Sequence, residues 1–466
     1  MKKTFLLSCL MLAAMPVMAA YTGHVYVDKN KNGVFDQSEK PLAGIKVSDG
    51  LNVVETAADG SFTLPGHERE RFIFITTPSG YKTFNRHYHK IEKKQSGYDF
   101  GLIPYSGRIR KDGSHRYIHI ADTEIFNTEN HADWVNNVRD YARNEQAAFI
   151  IHTGDICYEK GLKAHIKLMN TENMDCPVFY CIGNHDLVKG KYGEELFESI
   201  YGPVYYSFDA GNVHYVVTPM PGGDHAPGYT SDDVCRWLKN DLAHIRPGTP
   251  VVVFNHDLLT YEDTFIFKSK NAGSINLNEY NLKAWVYGHW HINYMKKQGD
   301  VYSVCTSSLD KGGIDHSTTA FRVMHVDSKG DFTSELRYTY LDKNICIASP
   351  AGVMASGVLP VAVNVYSSVS PVREVLYTCL ADGKPVLKNK RLLQSTDWSW
   401  NGELPLSHKY VGKELTLRVT ARFNNGEIAE AESNFICRTE KAVPLFSADW
   451  DNLSGNAKHS APFPLH

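Results

Sequence analysis

Apolar positions along the chain fall into three regimes. From residue 21 to about 105 they come in short runs, at 23–27, 45–48, 60–64 and 72–76, separated by Asp-Gly, Pro and Asn-rich turns. That spacing predicts a small β-sandwich. From about 107 to 345 the runs are apolar throughout, at 117–121, 148–153, 178–182, 251–254 and 284–287. A run that does not alternate predicts a strand covered on both faces. Amphipathic stretches between these runs predict helices at 133–144, 161–170, 194–200 and 232–245, the last with Ser231 as its N-cap. Strand and helix alternate early, and strands dominate after Val213, which suits two facing mixed sheets flanked by helices. From about 346 alternation returns at 359–366, 373–379, 414–422 and 428–436, with Asp382-Gly383 and Asn424-Asn425-Gly426 turns. A second sandwich is expected there, followed by a polar tail at 447–466. The expected build is therefore α/β (α+β), with an N-terminal β-sandwich at 21–106, a mixed domain at 107–345 and a β-rich domain at 346–466.

Composition narrows the class. With 466 residues, 42% hydrophobic and 22% charged, the chain has ample material for several cores. A formal net charge of −3 without a basic run argues against nucleic acid or a membrane surface as partner. Lys2 and Lys3, an apolar core at 5–15 and Val17-Met18-Ala19-Ala20 predict a signal peptide over 1–20. That core is too short to span a bilayer, as is every later stretch, so a soluble protein exported to the periplasm or beyond is expected. Export permits disulfides. Even so, the eight cysteines left after Cys9 form no recognisable framework and read as small buried hydrophobes. Asp28, Asn30, Asn32, Asp36 and Glu39, with Gly33 at the turn, match the spacing of a calcium loop. The alternative is a loop whose Asx side chains bond its own backbone. Nothing in the sequence signals an oligomeric state.

Five blocks stand where the apolar runs of the central region end: Asp122-Thr123-Glu124, Gly154-Asp155, Gly183-Asn184-His185-Asp186, Asn255-His256 and Gly288-His289-Trp290-His291. They gather carboxylates, an amide and imidazoles, the donors that borderline divalent metals prefer. Side chains at the carboxyl ends of such strands converge on one edge of a sheet. Two histidines in Gly-His-x-His on an extended segment face opposite sides, so one block serves two metals if the chain bends at Gly288. His119, His152, His214 and His244 lie inside strands or a helix and read as hydrogen-bonded core or surface groups. Trp290 borders the blocks and packs the sheet or lines a rim. The glycine-rich stretch 221–229 reads either as a substrate loop or simply as a long connection, and 306–313 follows a strand expected to border the site.

In order and spacing, the five blocks resemble the calcineurin-like metallophosphoesterases, over roughly residues 110–345. The resemblance implies a four-layer αββα sandwich for the central domain and two divalent ions (Mn, Fe, Zn or Mg) as cofactors. It implies Asp155 as the bridging ligand, Asp122, His291 and position 124 on one metal, and Asn184, His256 and His289 on the other. It implies His185 as the non-ligand histidine that protonates the leaving oxygen, with Asp186 placed to hold its imidazole. The implied reaction is hydrolysis of a phosphate mono- or diester by a hydroxide held between the metals. The chain departs from the commonest pattern at Glu124, where histidine is usual. A ligating carboxylate there favours harder ions such as Mn²⁺ or Mg²⁺; a carboxylate swung away leaves metal one weak. The competing expectation, motivated by the two β domains, is a non-catalytic binder of surface glycans or polymers with a vestigial centre.

Overall fold

The computed structural model describes residues 20–439. The expected signal peptide, apart from Ala20, and the polar tail at 447–466 lie outside the described residues. The chain divides into two compact units, one up to Tyr340 and one from Leu341.

The centre of the first unit is a pair of mixed sheets. One runs Val178–Tyr180, Phe149–His152, His115–Ile120, Ala320–Val326, Phe332–Tyr338, its first three strands parallel. The other runs Tyr206–Ala210, Val213–Val217, Val251–Phe254, Leu282–Tyr287, Val301–Cys305, Tyr294–Gln298, with its four middle strands parallel. The apolar runs have one core on each face. Tyr117, Phe149 and Ile151 point into a core shared with Phe208, Tyr215 and Phe254 of the facing sheet. Ile118, Ile120 and Ile150 point the other way, under Trp134, Val138 and Tyr141 of helix α1 (Ala132–Asn144) and Ala164 of α2 (Tyr158–Leu168). A third helix, α3 (Glu195–Tyr201), packs through Phe197 and Tyr201 beside Ile182, while α4 (Ser231–Ala243) covers the second sheet with Trp237, Leu238 and Leu242. This is the helix–sheet–sheet–helix layering expected. The cap of α4 is Thr230 rather than Ser231: Thr230 Oγ1 accepts from the Asp233 amide and the Asp233 carboxylate accepts from the Thr230 amide. The reciprocal pair satisfies two otherwise orphaned donors, which a cap at Ser231 would not.

Residues 21–104 form two small sheets around Val25, Leu64, Ile73, Ile75 and Phe100. One sheet orders Val53–Glu55, Lys46–Ser48, Phe72–Ile75, Tyr88–Lys90. From it, Phe72, Phe74 and Tyr88 turn outward into the core of the central sheets, and Phe74 lies 6.3 Å from Trp237 between ring centroids. In the loop at 28–39, Asp28 accepts from the amides of Asn32 and Gly33, and Glu39 from those of Lys29 and Asp36. Asn32 accepts from the Val34 amide, and Asp36 from the side-chain amides of Asn30 and Asn32. The five residues expected to hold calcium thus gather in one loop and spend their oxygens on its own amides.

The second unit is a β-sandwich of a four-stranded and a five-stranded sheet closed around Val361, Val363, Val375, Leu417 and Val419. Its first strand, Lys343–Ser349, pairs with Val358–Ser367, so the boundary drawn from sequence at 345/346 falls inside a strand. Polar Lys343 and Asn344 begin that strand and conceal its start. All eight cysteines among the described residues are unpaired, and only Cys346 is exposed. No helix among the described residues is long and apolar enough to cross a membrane.

Glu335 ties α1 to the outer strand of the first central sheet. Burial would raise its carboxyl, but His325 at 3.2 Å, Arg337 at 3.1 Å and the Tyr141 hydroxyl at 2.6 Å hold it down at about 2. A carboxylate with a depressed folded pKa contributes stability that is present above the unfolded glutamate range and lost as pH falls through the folded value. Glu335→Gln is therefore expected to cost on the order of 1–2 kcal/mol at neutral pH. In urea titrations from pH 7 down to 2, the gap to wild type should close; a gap independent of pH would refute this role.

Candidate metal centre

Each block sits where a parallel strand ends, and the backbone there is bent out of the extended conformation. Asp122, Glu124, Asp155, His289 and His291 all have left-handed φ, between 44° and 64°. L-residues adopt that region at a cost of roughly 1 kcal/mol or more each. The bend folds neighbouring side chains onto one centre instead of letting them alternate. The turn in Gly-His-Trp-His is thus made by His289 and His291 themselves, not by Gly288. Gly288 serves close approach: a β-carbon there would lie 2.7 Å from Asp122 Oδ2. Gly183 does the same against Asp155, whose Oδ1 would meet its β-carbon at 2.2 Å.

Two groups of donors result, each with ligand atoms within 4.8 Å of one another: Asp122, Asp155 and His291, and Asp155, His256 and His289. Asp155 belongs to both. His256 is fully buried and gives its Nδ1 proton to the Thr153 carbonyl at 2.7 Å. That leaves Nε2 3.1 Å from Asp155 Oδ2 and 3.9 Å from Asp122 Oδ1, yet without a hydrogen-bond partner. The side-chain oxygen of Asn184 is likewise buried and unpartnered. A buried acceptor without a donor costs ~1–3 kcal/mol unless something else takes its lone pair. Two orphaned donor atoms beside a shared carboxylate fit divalent cations, for which this set of oxygens and imidazoles is chemically apt.

The electrostatics agree. Burial pushes the Asp122 carboxyl well above its usual range, and Asp155 beside it adds to the push. Asp155 feels the same burial, but His256 overcomes it and holds the carboxyl low. His256 moves in the opposite direction: burial would lower it, and Asp155 raises it to about 9. The carboxylates thus draw positive charge to this point, which a cation taken up by the Nε2 lone pair would supply in place of a proton.

Glu124 also reaches the centre. Its Oε1 lies 3.5 Å from His291 Nε2, and the carboxylate groups with Asp155 and the Cys157 thiol. Its other oxygen is bound by Lys311. The position that departs from the usual histidine therefore carries its own counter-ion. Lys311 lies in the 306–313 loop, which the sequence marks only as bordering the site.

His185 is placed by three groups. Its amide donates to Asp155 Oδ1 at 3.0 Å, its Nδ1 meets Asp224 Oδ2 at 2.8 Å, and the Tyr158 hydroxyl lies 3.4 Å from the same nitrogen. Asp186, expected to hold that imidazole, does not. Its carboxylate turns back to accept from the Gly183 and Cys157 amides, at 2.9 and 2.8 Å, and burial lifts it to about 7. The reason is local. Gly183-Asn184-His185-Asp186 enters a single helical turn whose first amide needs an acceptor, and Asp186 is the residue three positions on that supplies one. The missed partner, Asp224, lies in the glycine-rich loop 221–229, 39 positions from His185. Burial would lower His185, but the hydrogen bond to Asp224 raises it.

The other histidines serve the frame. His119 bridges Thr153 and Thr306, and His152 lies between Thr123 and the Gly154 amide. His214 links Asp209 and Asp241, and His244 pairs with Glu55. Trp290, half-buried, donates to Asp257 and stacks with exposed Tyr261.

Because Asp155 is common to both donor groups, Asp155→Asn should remove bound metal from both. Elemental analysis of the purified variant is expected to find essentially none, whereas Glu124→Gln should weaken retention by about tenfold, as for an auxiliary ligand. Equal metal content in Asp155→Asn and wild type would show that the carboxylate is not shared.

Comparison with known proteins places this centre. Residues 115–293 match the family described as calcineurin-like phosphoesterase, and residues 29–104 match the N terminal of calcineurin-like phosphoesterase. Purple acid phosphatase 13 of Arabidopsis thaliana is 26% identical over 215 residues, 43% of this chain and 36% of that protein, so the chain spans about a third of that relative's length. Among solved structures, a predicted phosphoesterase from Streptococcus pneumoniae aligns at 11% identity, over 48% of this chain and 97% of that one, with a TM-score of 0.23. A zinc-bound Vps29 from Entamoeba histolytica aligns at 10% identity, over 47% and 97%, with a TM-score of 0.25. The two family matches lie side by side and together take in more than half of the chain, and on them, with the centre between the two sheets, the chain belongs to the calcineurin-like phosphoesterases.

Proposed function

We propose that this protein is an exported, metal-dependent hydrolase of a phosphate mono- or diester, with His185 as the proton donor to the leaving oxygen. The observation that carries the reading is the pair of donor groups joined at Asp155, with Asn184 and His256 presenting unpartnered donor atoms beside it. Asp122, Asp155 and His291 would hold one ion and Asp155, Asn184, His256 and His289 the other, with Glu124 an auxiliary ligand tempered by Lys311. Divalent ions held there would supply Lewis acidity toward the phosphoryl oxygens and an activated water.

The remaining chemistry belongs to the chain. Nδ1 of His185 is engaged by Asp224, so Nε2 is the nitrogen left to face the substrate. The carboxylate favours the imidazolium, the form that can give a proton to a departing alkoxide. Asp186 acts earlier in the hierarchy by fixing the Gly183–Asp186 turn, so that Asn184 and His185 leave the backbone in defined directions. Export rests on the charged and apolar start of the sequence, Lys2 and Lys3 followed by the run at 5–15.

Metal content and turnover of p-nitrophenyl phosphate and bis-p-nitrophenyl phosphate test this together. About two Mn, Fe or Zn per chain are expected, with turnover of one ester abolished in Asp155→Asn. His185→Ala should keep its metal and lose ~10²–10⁴-fold in kcat on the corresponding phenyl ester, whose leaving group needs the proton. One ion or none, with neither ester turned over after Mn²⁺ reconstitution, would put the glycan- or polymer-binding reading in its place.

A further inference from the structure

The loop that carries Asp224 is clamped by the N-terminal module. The loop closes on itself where the Tyr229 hydroxyl donates to the Met220 carbonyl at 2.6 Å, and its middle is pinned where the Asp224 amide donates to the Asn184 carbonyl at 3.0 Å. Its far end is held at one residue, through the peptides on either side of it. The Gly228 amide donates to both oxygens of Glu194, at 3.0 and 2.8 Å, while the Gly228 carbonyl accepts from Arg69 at 2.7 Å. Glu194 is in turn bound by Arg71 at 2.7 Å, and the same guanidinium nitrogen binds Glu198 at 2.7 Å. The Glu194 side chain is completely buried and that of Glu198 almost so, and the Arg71 guanidinium faces both. The fit has no slack: a β-carbon on Gly228 would lie 2.9 Å from Glu194 Oε1 and 3.0 Å from Arg71 Nη1.

Arg69 and Arg71 lie just before Phe72–Ile75, the strand whose Phe72 and Phe74 join the central core. Their guanidinium groups are therefore mounted on a rigid element anchored in the same core as the central sheets. On the proposed reading, in which Asp224 holds His185, we infer that the N-terminal module is a positioning element for the proton donor: Arg69 and Arg71 fix Gly228, and through it the placement of Asp224 against His185. The module touches no reacting atom. It sets how often the imidazole points at the leaving oxygen.

A proton donor matters in proportion to how badly the leaving group needs a proton. p-Nitrophenolate departs unaided, whereas phenolate is a far poorer leaving group. The test uses the full-length metal-loaded protein, with phenyl and p-nitrophenyl phosphates, or the corresponding diesters if those are hydrolysed. Arg69→Ala, Arg71→Lys and Asp224→Asn are compared singly and combined. Arg69 is half exposed, so its replacement is not expected to disturb folding, and Arg71→Lys keeps the buried positive charge while losing the planar fork.

Expected are a loss of ~10-fold or more in kcat on the phenyl ester, a change within about threefold on the p-nitrophenyl ester, and KM within about twofold of wild type. Metal content should be unchanged. In the Asp224→Asn background both arginine variants should add nothing, because they act through that residue. Equal losses on both esters, loss of metal, or losses that add to Asp224→Asn would overturn the inference in favour of a purely structural clamp. Arginine variants that match wild type while Asp224→Asn is selectively poor on the phenyl ester would overturn the clamp and leave the hydrolase reading standing. A wild-type protein that turns over neither ester would remove the hydrolase reading and this inference together.

Discussion

Asp155 must stay charged while buried between two sets of donors, and much of the centre depends on that constraint. Its neighbour Asp122 shows what burial does to a carboxylate without enough compensation: its affinity for a proton rises sharply. Asp155 escapes because His256 lies 3.1 Å away and the His185 amide donates to its other oxygen. His256 is oriented for this by the Thr153 carbonyl, and Thr153 also meets His119. The polar groups behind the centre form one connected structure in which each orients the next. The bent backbone at five positions of the donor cluster is the geometric side of the same constraint. Strain is tolerated where side chains from several strand ends must converge on one point.

Charge balance also explains the unusual residue at position 124. Three carboxylates in a largely buried site exceed what His256 can offset. Lys311 reaches Glu124 from a separate loop. A carboxylate and lysine replacing a neutral imidazole leave the local charge nearly unchanged while altering which atoms the position turns toward the donor cluster. The departure at this position is thus a paired one, and either partner viewed alone would look out of place.

The fold and the gathering of the donor side chains are legible from sequence for the same reason: both depend on local chemistry written contiguously. Apolar runs that do not alternate identify buried strands, and donors at their ends identify the edge where they meet, so Asp122, Asp155, Asn184, His256, His289 and His291 are all marked by sequence and come together. What escapes depends on distant contacts. Asp224 and Lys311 lie on loops whose paths no periodicity describes, and each becomes meaningful only once the chain has folded back on the site. Adjacency assigns Asp186 to His185, but its carboxylate is already needed by the turn that carries it. Thr230 against Ser231 is the same lesson in miniature: with two cap-forming residues side by side, the reciprocal bond to Asp233 decides between them.

Phe72, Phe74 and Tyr88 belong by sequence to the first module and by packing to the interior of the second. A segment that lends side chains to its neighbour's interior has lost the freedom of an interchangeable part. Shuffling, truncation or transplantation that separated residues 20–106 from the central sheets would leave Trp237 facing water on one side and an aromatic face on the other. The two modules are thus a single heritable and foldable piece, whatever boundary their sheets suggest. A recombinant fragment meant to isolate the metal centre has to begin at the start of the first strand, Tyr21–Val27, rather than where the first donor block begins.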